Sequence, residues 1–196
     1  VVAAETIYEE VEAWFDNVTF SIHEVPTPST IFVPDHIDFD AGLTGWVQRS
    51  GMTGTAIDPT VAVSGGELAA TINSFSFRHV TFINEDPITT ADTSGKMIGV
   101  SGDLWSNDPM VVRGVPYGGI CLGVASKFAG VYSFHPVTAF LRGDWTPHEG
   151  WRRIDYHADR TWHAAVQVSH HAGLYLPVTS KVRNLQVRVT DAVVDF

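Results

Sequence analysis

The sequence predicts an all-β, two-sheet antiparallel sandwich, and three observations carry that prediction. Apolar residues recur at every second position through most of the chain, turn signals interrupt them at short intervals, and residue types that build surface helices are scarce. The alternation is the primary signal, because a strand points successive side chains to opposite faces. Turn signals such as Ser64-Gly65-Gly66, Asp86-Pro87, Ser94-Gly95 and Asn107-Asp108-Pro109 separate the strand patterns. Many short strands so spaced fit a sandwich better than strands alternating with helices. Charged residues are 17% of the chain, below the usual quarter or so, and there are only three Met.

In chain order, Val11, Ala13 and Phe15 alternate with Glu10, Glu12 and Trp14. Beyond Asn17 the parity slips to Val18, Phe20 and Ile22, as a β-bulge at Asp16-Asn17 would make it do. Glu5–Ala13 has mixed periodicity, and its continuity with the 14–22 pattern predicts β there as well. Val25-Pro26-Thr27-Pro28-Ser29 is a Pro-rich hinge of extended character, and 26–37 reads as a Pro-containing linker. Further strand patterns lie at 30–33, 36–39, 45–49, 60–63, 67–72, 76–83, 96–101 and 110–113. They continue at 119–125, 130–134, 137–142, 151–157, 162–168, 173–177 and 182–189.

Trp14-Phe15-Asp16-Asn17-Val18-Thr19-Phe20 and Val182-Arg183-Asn184-Leu185-Gln186-Val187-Arg188 look like copies of one strand. Repetition of this kind marks arrays of like modules. Residues 1–25 are therefore read as closing strands of a preceding module, and 38–196 as one sandwich module of a longer protein. The competing reading makes 1–25 edge strands of the same sandwich. Asn184 is expected at a second bulge, because Asn tolerates left-handed backbone angles. Val182 then faces the core before the slip, Leu185, Val187 and Val189 face it after, and Arg183 is exposed.

Charge excludes some partners. Residues 1–48 hold nine carboxylates and no Lys or Arg, while the remainder is nearly neutral, giving a net charge of −10. Such a surface neutralises few phosphates, so no nucleic-acid partner is expected. No apolar stretch approaches the 18–20 residues of a membrane span, and no membrane insertion is expected. Cys121 sits in the apolar run Gly119–Val124 and reads as a small buried hydrophobe rather than a reactive thiolate.

Nine histidines, with His157, His163, His170 and His171 the tightest group, lack a His-x-His, Glu-x-x-His or Cys-pair start, so surface or turn histidines are the expectation. Asp144, Glu149, Asp155 and Asp159 read as solvated loop acids rather than the facing pair that glycoside hydrolysis needs. No nucleophile elbow or phosphate loop is present, and no catalysis is expected.

Three motifs carry a resemblance. Phe39-Asp40-Ala41-Gly42-Leu43-Thr44-Gly45-Trp46, Gly150-Trp151-Arg152-Arg153-Ile154-Asp155-Tyr156 and Trp14-Phe15-Asp16-Asn17-Val18 are similar to the opening, late and closing strands of carbohydrate-binding modules with the galactose-binding-like jelly roll. A concanavalin-like sandwich shares many of these signals, and the middle, roughly 55–145, matches no named family. Modules of this kind occur in tandem in surface glycan-processing proteins and in minor tail proteins of phages that infect actinobacteria. The resemblance thus implies an extracellular or virion-surface setting, a cell-surface glycan as ligand, and neighbouring modules or subunits as partners. The alternative is a purely structural module of a phage tail or other surface assembly. The family often holds a structural calcium between Asp38 or Asp40 and an acid before the closing Asn; Arg183 stands in that place, and an arginine cannot ligate a hard cation. No cofactor is therefore expected.

By the same resemblance Trp46 and Trp151 read as core packing. Trp105 and Trp145 lie in the polar, turn-rich runs Gly102–Asp108 and Arg142–Pro147, and read as loop tryptophans. Indole faces stack on sugar C–H groups, and polar neighbours bond the hydroxyls. The expected ligand site is therefore Trp105 and Trp145 with Asp103, Asn107, Arg142 and Asp144, the alternative being that both indoles plug the ends of the sandwich.

Overall fold

The computed structural model describes residues 30–32, 37–51, 60–72, 78–88, 95–108, 111–112, 115–116, 119–140, 143–154, 159–170 and 177–190. The readings of 1–25, Arg142, Asp155, His157, His171 and most of strand 173–177 fall outside the described residues.

Two antiparallel sheets face each other, as the alternation predicts. Sheet A holds β1 (Thr30–Phe32), β3 (Thr60–Ser64), β4 (Glu67–Ile72), β6 (Met97–Ser106), β11 (Gly143–Arg153) and β13 (Val178–Thr190). Their order is β11-β6-β13-β4-β3, with β1 beside the far half of β13. β1 thus lies inside the stretch read as linker and matches strand pattern 30–33. Sheet B holds β2 (Trp46–Gly51), β5 (Arg78–Asn84), β9 (Gly119–Phe128), β10 (Val131–Pro136) and β12 (Arg160–His170), ordered β10-β9-β12-β5-β2. A small separate pair joins β7 (Val111–Val112) to β8 (Val115–Pro116). Among the described residues there is no helix.

The core follows from period two. Leu68, Ala70 and Ile72 of β4, Ile98, Val100 and Leu104 of β6, and Val182, Leu185 and Val187 of β13 face inward from sheet A. Val80 and Phe82 of β5, Ile120, Leu122 and Val124 of β9, and Trp162 to Val168 at alternate positions of β12 meet them from sheet B. Ser106 and Ser180, both buried, satisfy each other at 2.7 Å within the inner face of sheet A.

The closing strand behaves as its sequence demands. The register of β13 against β6 shifts between Arg183 and Gln186, and Asn184 takes φ 54°. Val182 is buried before the slip, and Leu185, Val187 and Val189 after it. Arg183, expected to be exposed, is half-exposed because it is paired with Asp103 at 3.4 Å.

Several elements differ from the prediction. Residues 37–39, read as the end of a strand, lie in a turn that runs to Gly45. Phe39 sits there at φ 59°, fully buried and stacked on Trp46 at 4.5 Å. Burial of the ring against Trp46 holds a backbone angle that its Cβ disfavours. Residues 137–140, read as strand, instead cross from sheet B toward sheet A, and the next strand starts at Gly143. β11 ends at Arg153, well short of 157, and begins eight residues before the predicted start at 151. β6 runs five residues past the predicted end at 101 because Gly102, Leu104 and Ser106 point inward and only the intervening residues look turn-like.

Trp151 is not a core residue. It lies on the outer face of sheet A opposite Gly99, where a Cβ would stand 2.7 Å from its ring. A glycine there lets the indole lie flat on the sheet.

Candidate functional site

The outer face of sheet B is hollow because of which residues the alternation places there. Its central strands present small groups, with Gly123 and Ala125 on β9 and Ala165 on β12. Its edge strands present large ones, with Tyr132 and Phe134 on β10 and Arg49 on β2. Gly123 is required here: a Cβ on it would overlap the Phe134 ring and come within 2.7 Å of the His135 carbonyl oxygen. The Phe134 ring therefore lies down on β9 and forms a floor.

Curvature closes the hollow. Four spacings separate β10 from β2 in the sheet, roughly 19 Å of arc at about 4.8 Å each. Yet Arg49 Cζ lies 5.6 Å from the centre of the Tyr132 ring. Side chains from opposite edges can meet only if this face is concave. Beneath them lies a groove of about 440 Å³, lined by Arg49, His79, Thr81, Ile83, Gly130, Val131, Tyr132, Phe134 and Gln167. That is within the size range of small-ligand sites.

Hydrogen bonding fixes the polar lining. Gln167 Nε2 donates to Thr81 Oγ1 at 2.9 Å across β12 and β5, leaving the Gln167 carbonyl oxygen available. Lys127 Nζ stands 5.0 Å from the Tyr132 ring centre, so two cations flank that ring. The hairpin joining β9 to β10 turns through Ala129 at φ 47° and Gly130 at φ 79°, the pair of left-handed angles that a tight hairpin uses. It holds Phe128 and Val131 exposed at the rim.

His163 supports this wall from below. It is buried rather than at a surface or turn, contrary to the sequence expectation, because its parity puts it under Tyr132, whose ring it meets edge-on at 5.5 Å. Its Nδ1 donates to the Asn84 carbonyl at 2.9 Å, so Nε2 accepts from Thr161 Oγ1 at 2.8 Å. Burial lowers its pKa, against the opposing hydrogen bond to Asn84. The unfolded chain therefore takes up the proton more readily than the fold does. Stability is full above the ordinary imidazole value of 6.5 and falls as pH drops through and below it. His163→Gln is expected to flatten part of that acid-side decline, read as melting temperature against pH. An unchanged slope would contradict this placement of the proton.

The tryptophans picked from sequence lie on the other sheet. Trp105 is on β6 and Trp145 on β11, so both stand on strands rather than in loops. The residues that resemble a turn are the outward half of an alternating strand. Asp103 and Trp105 share that outward face, and Trp145 stands in the register gap between Gly143 and Thr146 on the neighbouring strand. Each indole carries a cation: Lys181 Nζ is 5.3 Å from the Trp105 ring centre and Arg183 Cζ 4.1 Å from that of Trp145. Glu67 holds Lys181 at 2.9 Å and Asp103 holds Arg183 at 3.4 Å. Asp103 also accepts from Asn184 Nδ2 at 2.7 Å. Asn107 ties to β13, its Oδ1 accepting from the Thr179 amide at 2.7 Å. Asp144 is exposed beside Trp145, and Arg142 lies outside the described residues. The structure thus gathers Asp103, Trp105 and Trp145 on sheet A, with Asn107 holding the end of the sheet.

Cys121 also points outward from β9 but is fully covered, and burial pushes its thiol up to about 12. It cannot supply a thiolate near neutral pH. Among the described residues no group of three or more His, Cys, Asp or Glu is arranged to hold a metal. Among the described residues no helix is long and apolar enough to cross a membrane.

No protein-family model and no curated protein matches the sequence. Among solved structures the chain is similar to the family 22 xylan-binding domain of Paenibacillus barcinonensis Xyn10C, at 16% identity and TM-score 0.43 over 76% of this chain and 88% of that one. It is similar to a family 4 carbohydrate-binding module at 14% identity and TM-score 0.47, over 77% and 99% of the two chains. A family 61 module in complex with β-1,4-galactotriose is similar at 14% identity and TM-score 0.46, over 81% and 98%.

Proposed function

We propose that this chain is a non-catalytic glycan-binding module whose ligand lies in the concave face of sheet B. The observation that carries the reading is the groove under Tyr132, with an aromatic floor and a polar opposite wall. A pyranose offers a face of C–H groups to Tyr132 and Phe134 and equatorial hydroxyls to Gln167, Thr81 and Arg49. Among the described residues lining the groove there is no carboxylate, and glycoside hydrolysis needs two. That favours holding a sugar over cutting it.

On sheet A the cations beside the two indoles are tied down by carboxylates, Lys181 by Glu67 and Arg183 by Asp103, and neither indole lines the groove. Trp105, Trp145, Asp103, Asp144 and Asn107 are therefore assigned to supporting that sheet, and Arg142 remains with them only by sequence. The extracellular or virion-surface setting, including a phage tail, belongs to the same proposal and is supported by the strand motifs and their repetition.

Tyr132→Ala is expected to weaken glycan binding by about 1–3 kcal/mol, the cost of losing one aromatic stacking partner, or about 5–150-fold. Trp145→Ala is expected to leave affinity unchanged and lower the melting temperature. Calorimetric titration with soluble oligosaccharides reads both. Loss of binding in Trp145→Ala alone would move the site to sheet A, and no binding by any glycan would favour a purely structural module.

A further inference from the structure

We propose that the glycan taken up by this face is anionic, with Arg49 and Lys127 receiving its carboxylate or sulfate groups. The inference rests on the glycan-binding reading and names the ligand class of that same groove. Its basis is the convergence of two cations on the ring above the groove, where three cations of sheet A are instead paired with acids. On sheet A, Lys181, Arg183 and Arg188 each meet a carboxylate, Glu67 at 2.9 Å, Asp103 at 3.4 Å and Glu149 at 3.5 Å. On sheet B, Arg49 and Lys127 arrive from different strands and converge on one ring, Tyr132, at 5.6 and 5.0 Å. Among the described residues neither has a carboxylate partner.

In a chain of net charge −10 acids are plentiful, yet the two cations beside this groove meet an aromatic ring instead. The aromatic ring compensates them only in part, since an exposed cation–π contact is weak beside a charge-assisted hydrogen bond. A guanidinium offers a planar fork that matches a carboxylate or sulfate, and an ammonium adds a point charge. Both lie beside the ring on which the sugar stacks. Asp86 is the nearby acid whose charge reaches this face, and both it and Lys127 act on His163, low on the wall.

The test compares oligogalacturonate, a sulfated galacto-oligosaccharide and a neutral β-1,4-galacto-oligosaccharide of equal length, titrated calorimetrically against the full chain. One or both acidic oligomers are expected to bind roughly tenfold tighter than the neutral one, the size of one charge-assisted hydrogen bond. Which acidic arm binds identifies the group. Lys127→Gln is expected to reduce that preference while the neutral affinity and the melt stay close to the parent, and adding Arg49→Gln is expected to abolish the preference and to weaken neutral binding as well. Arg49 is exposed and Lys127 half-exposed, so the fold tolerates both changes. Equal binding of acidic and neutral oligomers, or a preference surviving the double substitution, overturns the inference and leaves the glycan reading standing. A single-stranded oligonucleotide that binds tighter than either acidic sugar also overturns it. No binding by any sugar overturns both.

Discussion

Phe82→Ala is expected to lower the unfolding free energy by about 3–5 kcal/mol, and the melting temperature by roughly 6–20 °C for a domain of this size. Phe82 is fully buried in the middle of β5, and its ring enters the space between the sheets. Gln48 of β2 and Val166 of β12 lie opposite it on either side. Backbone hydrogen bonding on both flanks pins the strand, so the cavity left by the ring cannot collapse, and both the transfer and cavity costs are incurred. Urea unfolding with an unchanged denaturant slope measures the loss. A loss below about 1 kcal/mol would mean that the site relaxes or that Phe82 is not central. The same strand shows Thr81 and Ile83 to the groove, so the folded variant retains its sugar response.

Gly150→Ala is expected to be nearly as severe, about 3 kcal/mol or more, through overpacking rather than a void. Gly150 is buried on β11, and an added Cβ would overlap the carbonyl of Val137. Val137 begins the crossing from sheet B to sheet A and cannot retreat. Its amide donates to the Leu122 carbonyl at 2.9 Å, and the Leu122 amide donates to Thr138 Oγ1 at 3.0 Å. The clash therefore falls on hydrogen-bonded backbone instead of a side-chain tip. Gly130→Ala is the control: its φ of 79° is strained for alanine, but nothing lies within 4 Å. It is expected to cost only about 1–2 kcal/mol. Comparable melting temperatures for the two variants would refute this account of the corner.

Local features were legible in the sequence because their causes are local. The slip of parity around Asn184 appears in the order of Val182, Arg183, Asn184 and Leu185, and the backbone obeys it. The two-glycine turn between β3 and β4 is equally plain, with Gly65 and Gly66 both at positive φ. Aromatic placement was less legible, because period two says which residues share a face but not whether that face looks inward. Trp151 alternates like a core residue, yet it lies outside on Gly99. Trp105 and Trp145 looked like loop residues because Gly, Asp and Asn surround them, although those polar groups are the solvent side of strands.

The concave face was missed for a different reason. Curvature belongs to the whole sheet, and no short run shows that Arg49 and Tyr132 will meet. One signal was present: on neighbouring strands, Cys121, Gly123 and Ala125 share a parity, and Tyr132 and Phe134 share another. A run of small groups beside aromatic ones at strand spacing marks a hollow with a wall.

The short strand at Thr30–Phe32 also guards the molecule against its own kind. On one side β13 pairs with β6, but on the other it changes partners, meeting β4 at Val178–Val182 and β1 at Val187–Val189. Without β1 that second stretch would present unpaired amides and carbonyls along a strand rich in valine, a template for another chain to extend the sheet. Three residues far away in sequence act as a selvedge there, and finish the cloth before it can be stitched to the next piece.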